Sequence, residues 1–191
     1  MYLENPGIEN LSHKAMLLNE IMRAPREVAA ICPGSARLGD TMASLIGPGD
    51  GWVVELGGET GVITESLLRS GIPSRKLLVI EKSATFASLL LRRFPHVEVI
   101  HADAADMPPV LRQVAVKAVV SCLPLGSLPD DVAARIAGTW ARSLAAGGRV
   151  IQFTNSPFAG SAWRDAGLTR IGSDIVLANP APARVQVFAR S

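Results

Sequence analysis

"WVVELGGETGVITESLL", residues 52–68, decides the fold. A short β-branched run is followed by three glycines within five positions (Gly57, Gly58, Gly61) and then by a helical run. The pattern predicts a buried strand, a tight turn and a helix from about Thr60 to Ser70, stopped by Gly71. A strand that feeds a glycine turn and a helix N-terminus presents backbone N–H groups to a ligand. The dinucleotide form of this turn is G-x-G-x-x-G. Counted from Gly57 it needs glycine at 59 and 62, and the chain has Glu59 and Val62. A dinucleotide is therefore not expected.

The pattern E/D-x-G-x-G-x-G fits better. Glu55, Gly57 and Gly61 match it, and Glu59 replaces the middle glycine. A cofactor without a pyrophosphate, bound by its amino-acid part near the turn, suits this arrangement; S-adenosylmethionine is one. Two later acids agree. Glu81 ends the second strand, beside Lys82, where a carboxylate can accept both ribose hydroxyls. Asp103 follows the third strand in "HADA", where it can accept from an adenine amino group with the Ala104 backbone beside it. Acids also end strands merely to stay solvated, but one per successive strand end is a pattern. The cofactor-binding set is thus Glu55, Gly57, Gly58, Glu59, Thr60, Gly61, Glu81, Lys82, Asp103, Ala104 and Ser121, with no metal ligands. Glu59 itself is open between a packed or solvent-facing carboxylate and a cofactor contact.

Outward from this stretch, strand and helix alternate. "KLLVIE", "VEVIHA", "VKAVVSCL" and "RVIQFT" read as strands. Ser83 caps the helix "SATFASLLLRRF", which Pro95 closes. "PDDVAARIAGTWARSLAAGG" reads as one amphipathic helix with acids first and glycines last. "SPFAGSAWRDAG" reads as a short helix. "IGSDIVLA" and "ARVQVFAR" flank the turn "NPAPA" and predict a hairpin, hence an antiparallel edge strand. The fold expected is α/β and Rossmann-like: a seven-stranded, mostly parallel sheet with helices on both faces. Residues 1–46 are helical in pattern and form either a lid on the sheet or an amphipathic membrane-contact segment. Residues 47–191 form the cofactor domain.

Bulk properties agree with a single unit of this kind. The chain has 191 residues and is 48% hydrophobic, with a net charge of +2. That charge is too small to argue for nucleic acid. Cys32 and Cys122 are too few for a disulfide framework and suit a reducing cytosol. "MYLENPGIEN" carries acids where a signal peptide needs a basic region, and no apolar run is long enough to span a bilayer. Any membrane contact is expected to be peripheral.

The segments "ELGGETGVITESLL", "LLVIEK", "FPHVEVIHADAADMP", "VVSCLPLGSLP", "LAAGGRVIQFT" and "NPAPARVQVFAR", with "MRAPREVAAICPGSARLGDTM" before them, resemble the bacterial phospholipid N-methyltransferases. These are class I S-adenosylmethionine-dependent enzymes that methylate phosphatidylethanolamine towards phosphatidylcholine. The resemblance covers about residues 16–190. It implies a phospholipid substrate at the inner face of the cytoplasmic membrane, S-adenosylhomocysteine as product, no nucleic-acid partner, and a monomer or weak oligomer. The chain departs from the family at Glu59, where Gly-Pro-Gly-Thr-Gly is usual, and at Asn155, where tyrosine is common after "QFT".

Methyl transfer to an amine needs the nucleophile neutral and aligned. Ser121, Cys122, Leu123 and Pro124 stand where nitrogen methyltransferases place Asp/Asn-Pro-Pro-aromatic. Ser121 would offer a polar side chain, Leu123 a backbone carbonyl, and Pro124 a fixed turn. His13 is the candidate base, although a lone histidine is more often a surface or packing residue. Leu125 stands where nucleic-acid enzymes put an aromatic, so a flipped base would lack a stacking partner. Alternative readings are an rRNA adenine N6-dimethyltransferase-like enzyme and a catalytically impaired cofactor- or lipid-binding domain.

Overall fold

The structure is a computed structural model, and it describes residues 35–154, 161–176 and 183–190. Residues 33–191 form one compact unit. Its elements in chain order are α1 (Ala36–Ser44), β1 (Trp52–Leu56), α2 (Val62–Arg69), β2 (Leu77–Glu81), α3 (Ala84–Arg93) and β3 (Glu98–His101), then β4 (Val116–Ser121), α4 (Asp130–Ser143), β5 (Leu144–Thr154), α5 (Ala162–Asp165), β6 (Thr169–Val176) and β7 (Ala183–Ala189).

The sheet has seven strands in the order β3-β2-β1-β4-β5-β7-β6. Strands β1 to β5 are parallel, and β7 is antiparallel to both neighbours. The antiparallel strand therefore lies one place inside the edge that the hairpin pattern suggested. Strand β6, on the edge, is parallel to the first five. A hairpin leaves open which arm joins the sheet, and β7 pairs with β5 because Val185, Val187 and Phe188 are buried there while β6 is largely exposed.

Two apolar layers sandwich the sheet. On one face Leu38 and Met42 of α1, Ile63 and Leu67 of α2 and Leu90 of α3 meet Val53, Val79 and Val120. On the other, Ile136 and Trp140 of α4 and Trp163 of α5 meet Val54, Ile80, Val119 and Phe188. Each such aliphatic side chain contributes about 1.5–3 kcal/mol over its exposed state, whereas ion pairs such as Arg69–Asp40 lie at the surface, where solvent screens them. The core, not the ion pairs, holds the helices in place.

Ser35 Oγ caps α1 by accepting from Leu38 N at 3.1 Å, and Ser83 Oγ caps α3 by accepting from Phe86 N at 3.4 Å. The fourth helix is shorter than its pattern. Leu144 is already extended and pairs with Val116, so "LAAGG" opens β5 instead of capping α4. A register shift between Val116 and Ala118 absorbs the extra residues.

The strand order reverses between β2-β1 and β4-β5. This is the switch point where open α/β sheets bind ligands, at the carboxyl ends of the strands.

Candidate functional site

Three strand ends and one turn converge at the switch point. After β1 the chain enters the glycine turn, where Gly57 N donates to Ile80 O at 2.9 Å. Gly61 is left-handed at φ 85° and caps α2, so Thr60 belongs to the turn and the helix starts at Val62. A Cβ on Gly58 would lie 2.5 Å from Val79 Cγ1 and 2.8 Å from Leu90 Cδ1. A Cβ on Gly57 would lie 3.0 Å from Leu123 Cδ2, so the turn abuts the loop after β4. Arg93 fastens the turn from α3: its Nη1 donates to Thr60 O at 2.6 Å, it pairs with Glu65, and it lies over the Phe94 ring. Its guanidinium serves the turn.

Glu55 is fully buried. Its Oε2 accepts from Thr64 Oγ1 at 2.7 Å, and its Oε1 has no hydrogen-bond partner. Burial pushes its carboxyl up to about 8, against the Thr64 hydrogen bond and with help from the charge on Glu81. Glu81, also buried, accepts from Glu59 N at 3.0 Å with one oxygen and from Ser83 N at 2.8 Å with the other. It ties the glycine turn to the start of α3. Glu59 is partly buried and left-handed at φ 45°. Burial, then the charges on Glu81 and Glu55, push its carboxyl up to about 8.

Asp103 stands apart from this cluster. Its Oδ1 accepts from Ala105 N at 2.8 Å and its Oδ2 pairs with Lys82 Nζ at 3.3 Å. The backbone bond first, then Lys82, hold it below the usual carboxylate range. The buried Trp140 of α4 fixes this loop by donating from Nε1 to Ala104 O at 2.7 Å.

The end of β4 is held differently. Ser121 is fully buried and its Oγ has no partner. It is in register with Leu56, so its side chain shares the α4 face of the sheet, opposite Glu55. Gln152 Nε2 donates to Leu123 O at 2.9 Å and to Ser121 O at 3.3 Å, and Trp163 Nε1 donates to Gln152 Oε1 at 2.8 Å. The Leu123 carbonyl is thereby bonded inside the protein. Pro124 opens a short 3₁₀ turn, Leu125–Ser127. Burial and the charges of Glu55, Glu59 and Glu81 push the Cys122 thiol up, which leaves it unreactive. Phe153 and Trp163 are core side chains. His13, Asn155 and Phe158 lie outside the described residues.

The structure thus brings Glu55, Gly57, Gly58, Glu59, Thr60, Gly61 and Glu81 together, with Lys82, Asp103 and Ala104 on the adjoining strand end. Thr64, Gln152 and Trp140 were missed by sequence reasoning. Thr64, nine residues after Glu55 on the inward face of the helix, was the one with a readable signal. The cofactor anticipated from the sequence fits: Gly57 faces Leu123 with no side chain of its own, and among the described residues Glu55 Oε1 is a buried acceptor without a donor. Among the described residues no group of His, Cys, Asp and Glu is arranged to hold a metal ion, and no helix is long and apolar enough to cross a membrane.

No family model matches the chain. It is 29% identical over 151 residues to an ornithine lipid N-methyltransferase of Singulisphaera acidiphila, covering 75% of this chain and 78% of that one. Among solved structures it is similar to a TehB-like SAM-dependent methyltransferase from Corynebacterium glutamicum, with TM-score 0.65 and 16% identity over 93% of this chain and 100% of that chain. It is also similar to the 1,6-didemethyltoxoflavin-N1-methyltransferase of Burkholderia thailandensis, solved with S-adenosylhomocysteine, with TM-score 0.66 and 15% identity over 100% of this chain and 92% of that one. The fold is the Rossmann-like fold of the class I methyltransferases.

Proposed function

We propose that this protein is an S-adenosylmethionine-dependent N-methyltransferase that methylates the amine of a membrane lipid, with phosphatidylethanolamine or its methylated derivatives as the substrate. The observation that carries the reading is the placement of Glu55, Glu81 and Asp103 at three successive strand ends of the switch point, around the glycine turn at 57–61. The similarity to an ornithine lipid N-methyltransferase supports an amine-bearing lipid as acceptor. Ornithine lipid is therefore the second substrate to test.

Bound at the turn, S-adenosylmethionine would supply an activated methyl group on its sulfonium. Glu81 would accept from ribose hydroxyls and Asp103 from the adenine amino group. The glycine turn and the Leu123–Pro124 loop would align the acceptor nitrogen, whose lone pair forms the new N–C bond as the C–S bond breaks. The nitrogen must arrive neutral or lose its proton, and His13 is the proposed base. Of the 1–46 segment expected to be a lid, α1 instead packs Leu38 and Met42 into the sheet core; the residues before Pro33 would then meet the bilayer, placing the protein at the inner face of the cytoplasmic membrane as a monomer or weak oligomer.

The test is methyl transfer from labelled cofactor to vesicles of phosphatidylethanolamine or ornithine lipid, with products resolved by mass and Asp103→Ala as control. Methylated lipid that disappears in the control supports the reading. Cofactor binding with no product from either lipid overturns the lipid assignment, and RNA would be the next acceptor to try.

A further inference from the structure

The turn is left-handed at Gly57, Glu59 and Gly61, with φ of 79°, 45° and 85°. A chain does not hold such a backbone unaided; its surroundings must fix it. Gly57 N donates to Ile80 O at 2.9 Å, Glu59 N to Glu81 Oε2 at 3.0 Å and Gly61 N to Gly58 O at 2.8 Å. Thr60 is held in another way. The backbone ladder of α2 opens with Glu65 N on Gly61 O at 2.9 Å, so Thr60 O lies one residue outside it. Arg93, the last residue of α3, takes that carbonyl with Nη1 at 2.6 Å. A basic residue in the last turn of a helix ordinarily answers the dipole of its own helix. The Arg93 guanidinium instead leaves α3: Nη2 pairs with Glu65 on the first turn of α2, and Cζ lies 5.1 Å from the centroid of the Phe94 ring. A planar fork makes both contacts at once, which a lysine ammonium does not.

The neighbours of Arg93 press on the same turn. A Cβ on Gly58 would lie 2.8 Å from Leu90 Cδ1, and one on Gly61 would lie 2.4 Å from Phe94 Cε2. Leu90, Arg93 and Phe94 stand at i, i+3 and i+4, on one side of the end of α3. The glycines at 58 and 61 thus admit this helix end, and Arg93 is its polar grip on the turn. We propose that Arg93 is a positioning residue for the cofactor: by joining Thr60 O to the start of α2 it keeps the glycine turn in its binding conformation before the ligand arrives. The inference rests on the cofactor reading above. Ordering the turn is then met by folding and not by binding, which raises affinity without any contact between Arg93 and the ligand.

The experiment compares the full-length wild type with Arg93→Lys and Glu65→Gln, by amide hydrogen exchange without ligand and by calorimetry with S-adenosylmethionine. Arg93→Lys keeps a charge facing Glu65 and loses the fork. Exchange at residues 57–61 should quicken by about tenfold in Arg93→Lys while exchange in β1 and β2 stays as in the wild type. The cofactor Kd should rise by about tenfold through a less favourable binding entropy, the cost of ordering about one backbone residue. Glu65→Gln retains the bond to Thr60 and should change either quantity by about twofold at most, as befits a partly exposed ion pair. Unchanged exchange at 57–61, or an unchanged Kd, in Arg93→Lys overturns the inference while binding by the wild type keeps the cofactor reading. Exchange that quickens equally in β1 and β2 makes Arg93 a support of the whole fold and overturns it too. Failure of the wild type to bind the cofactor overturns the cofactor reading and the inference with it.

Discussion

At Thr64 a single hydroxyl determines how Glu55 is held. Glu55 is fully buried, and among the described residues Thr64 holds it through its hydroxyl and its backbone N–H. Thr64→Val keeps the shape and removes the hydroxyl's bond to a buried carboxyl, which should cost about 1–3 kcal/mol, read as a lowered midpoint in urea. The same carboxyl sets a pH dependence. Its folded value of about 8 lies above its ordinary 4.5, so the folded state holds a proton that the unfolded state has lost between those values. The contribution of Glu55 to the stability of the ligand-free protein is therefore fully present on the acid side and is lost as pH rises from about 5 to about 8. Glu55→Gln should flatten that slope in thermal unfolding, and an unchanged slope would assign it to another group. Asp103 carries the opposite shift. It is already ionised throughout the neutral range, so Asp103→Ala should weaken cofactor binding at every pH by about tenfold or more, the cost of a charge-assisted hydrogen bond. The acids at 55, 81 and 103 were readable in the sequence because each ends an apolar strand. The left-handed backbone at Glu59 and the inward turn of the Ser121 side chain were not, because both depend on how neighbouring strands pack.

Between elements, two tryptophans brace the site from the α4 side of the sheet. Trp140 reaches from α4 to the Ala104 carbonyl, and Trp163 reaches from α5 to Gln152, which holds the Ser121 and Leu123 carbonyls. Trp140→Phe keeps most of the apolar volume and removes the N–H donor. It should cost about 1–2 kcal/mol of stability and loosen the Asp103 loop, raising the cofactor Kd while leaving lipid KM unchanged. Gln152→Leu removes the donor to the Ser121, Leu123 and Phe153 carbonyls and should raise lipid KM more than cofactor Kd, which steady-state kinetics and calorimetry together separate. Periodicity showed that these helices exist and which face they bury. It could not show that their indole N–H groups reach carbonyls far along the chain, because such pairings follow from the sheet order. The end of α4 illustrates the same limit. Its glycines look like a helix stop, but the pairing of Leu144 with Val116 outweighs that local signal and draws the residues into β5.

For the molecule as a whole, both apolar layers, among the described residues, are built from the unit 33–191. A chain beginning at Pro33 should therefore unfold in one cooperative transition and keep its affinity for the cofactor. If the preceding residues form the lid, the shortened chain should lose turnover of vesicle-borne lipid, measured beside a short-chain soluble lipid that needs no bilayer. Equal activity of the two forms on vesicles would remove the lid from the proposal.

The alternation of buried strands and amphipathic helices, the turn at 57–61 and the acid at each strand end are local patterns, repeated at periods that the backbone itself imposes. The sequence alone was therefore enough for the α/β architecture, the mostly parallel sheet and the location of the candidate site. Tertiary structure decided what depends on partners distant in the chain: the place of β7 inside the edge, the bracing of the site loops by Trp140, Trp163 and Gln152, and the hold of Arg93 on the glycine turn. Burial and charge proximity are properties of the packed whole, and no spacing rule along the chain encodes them.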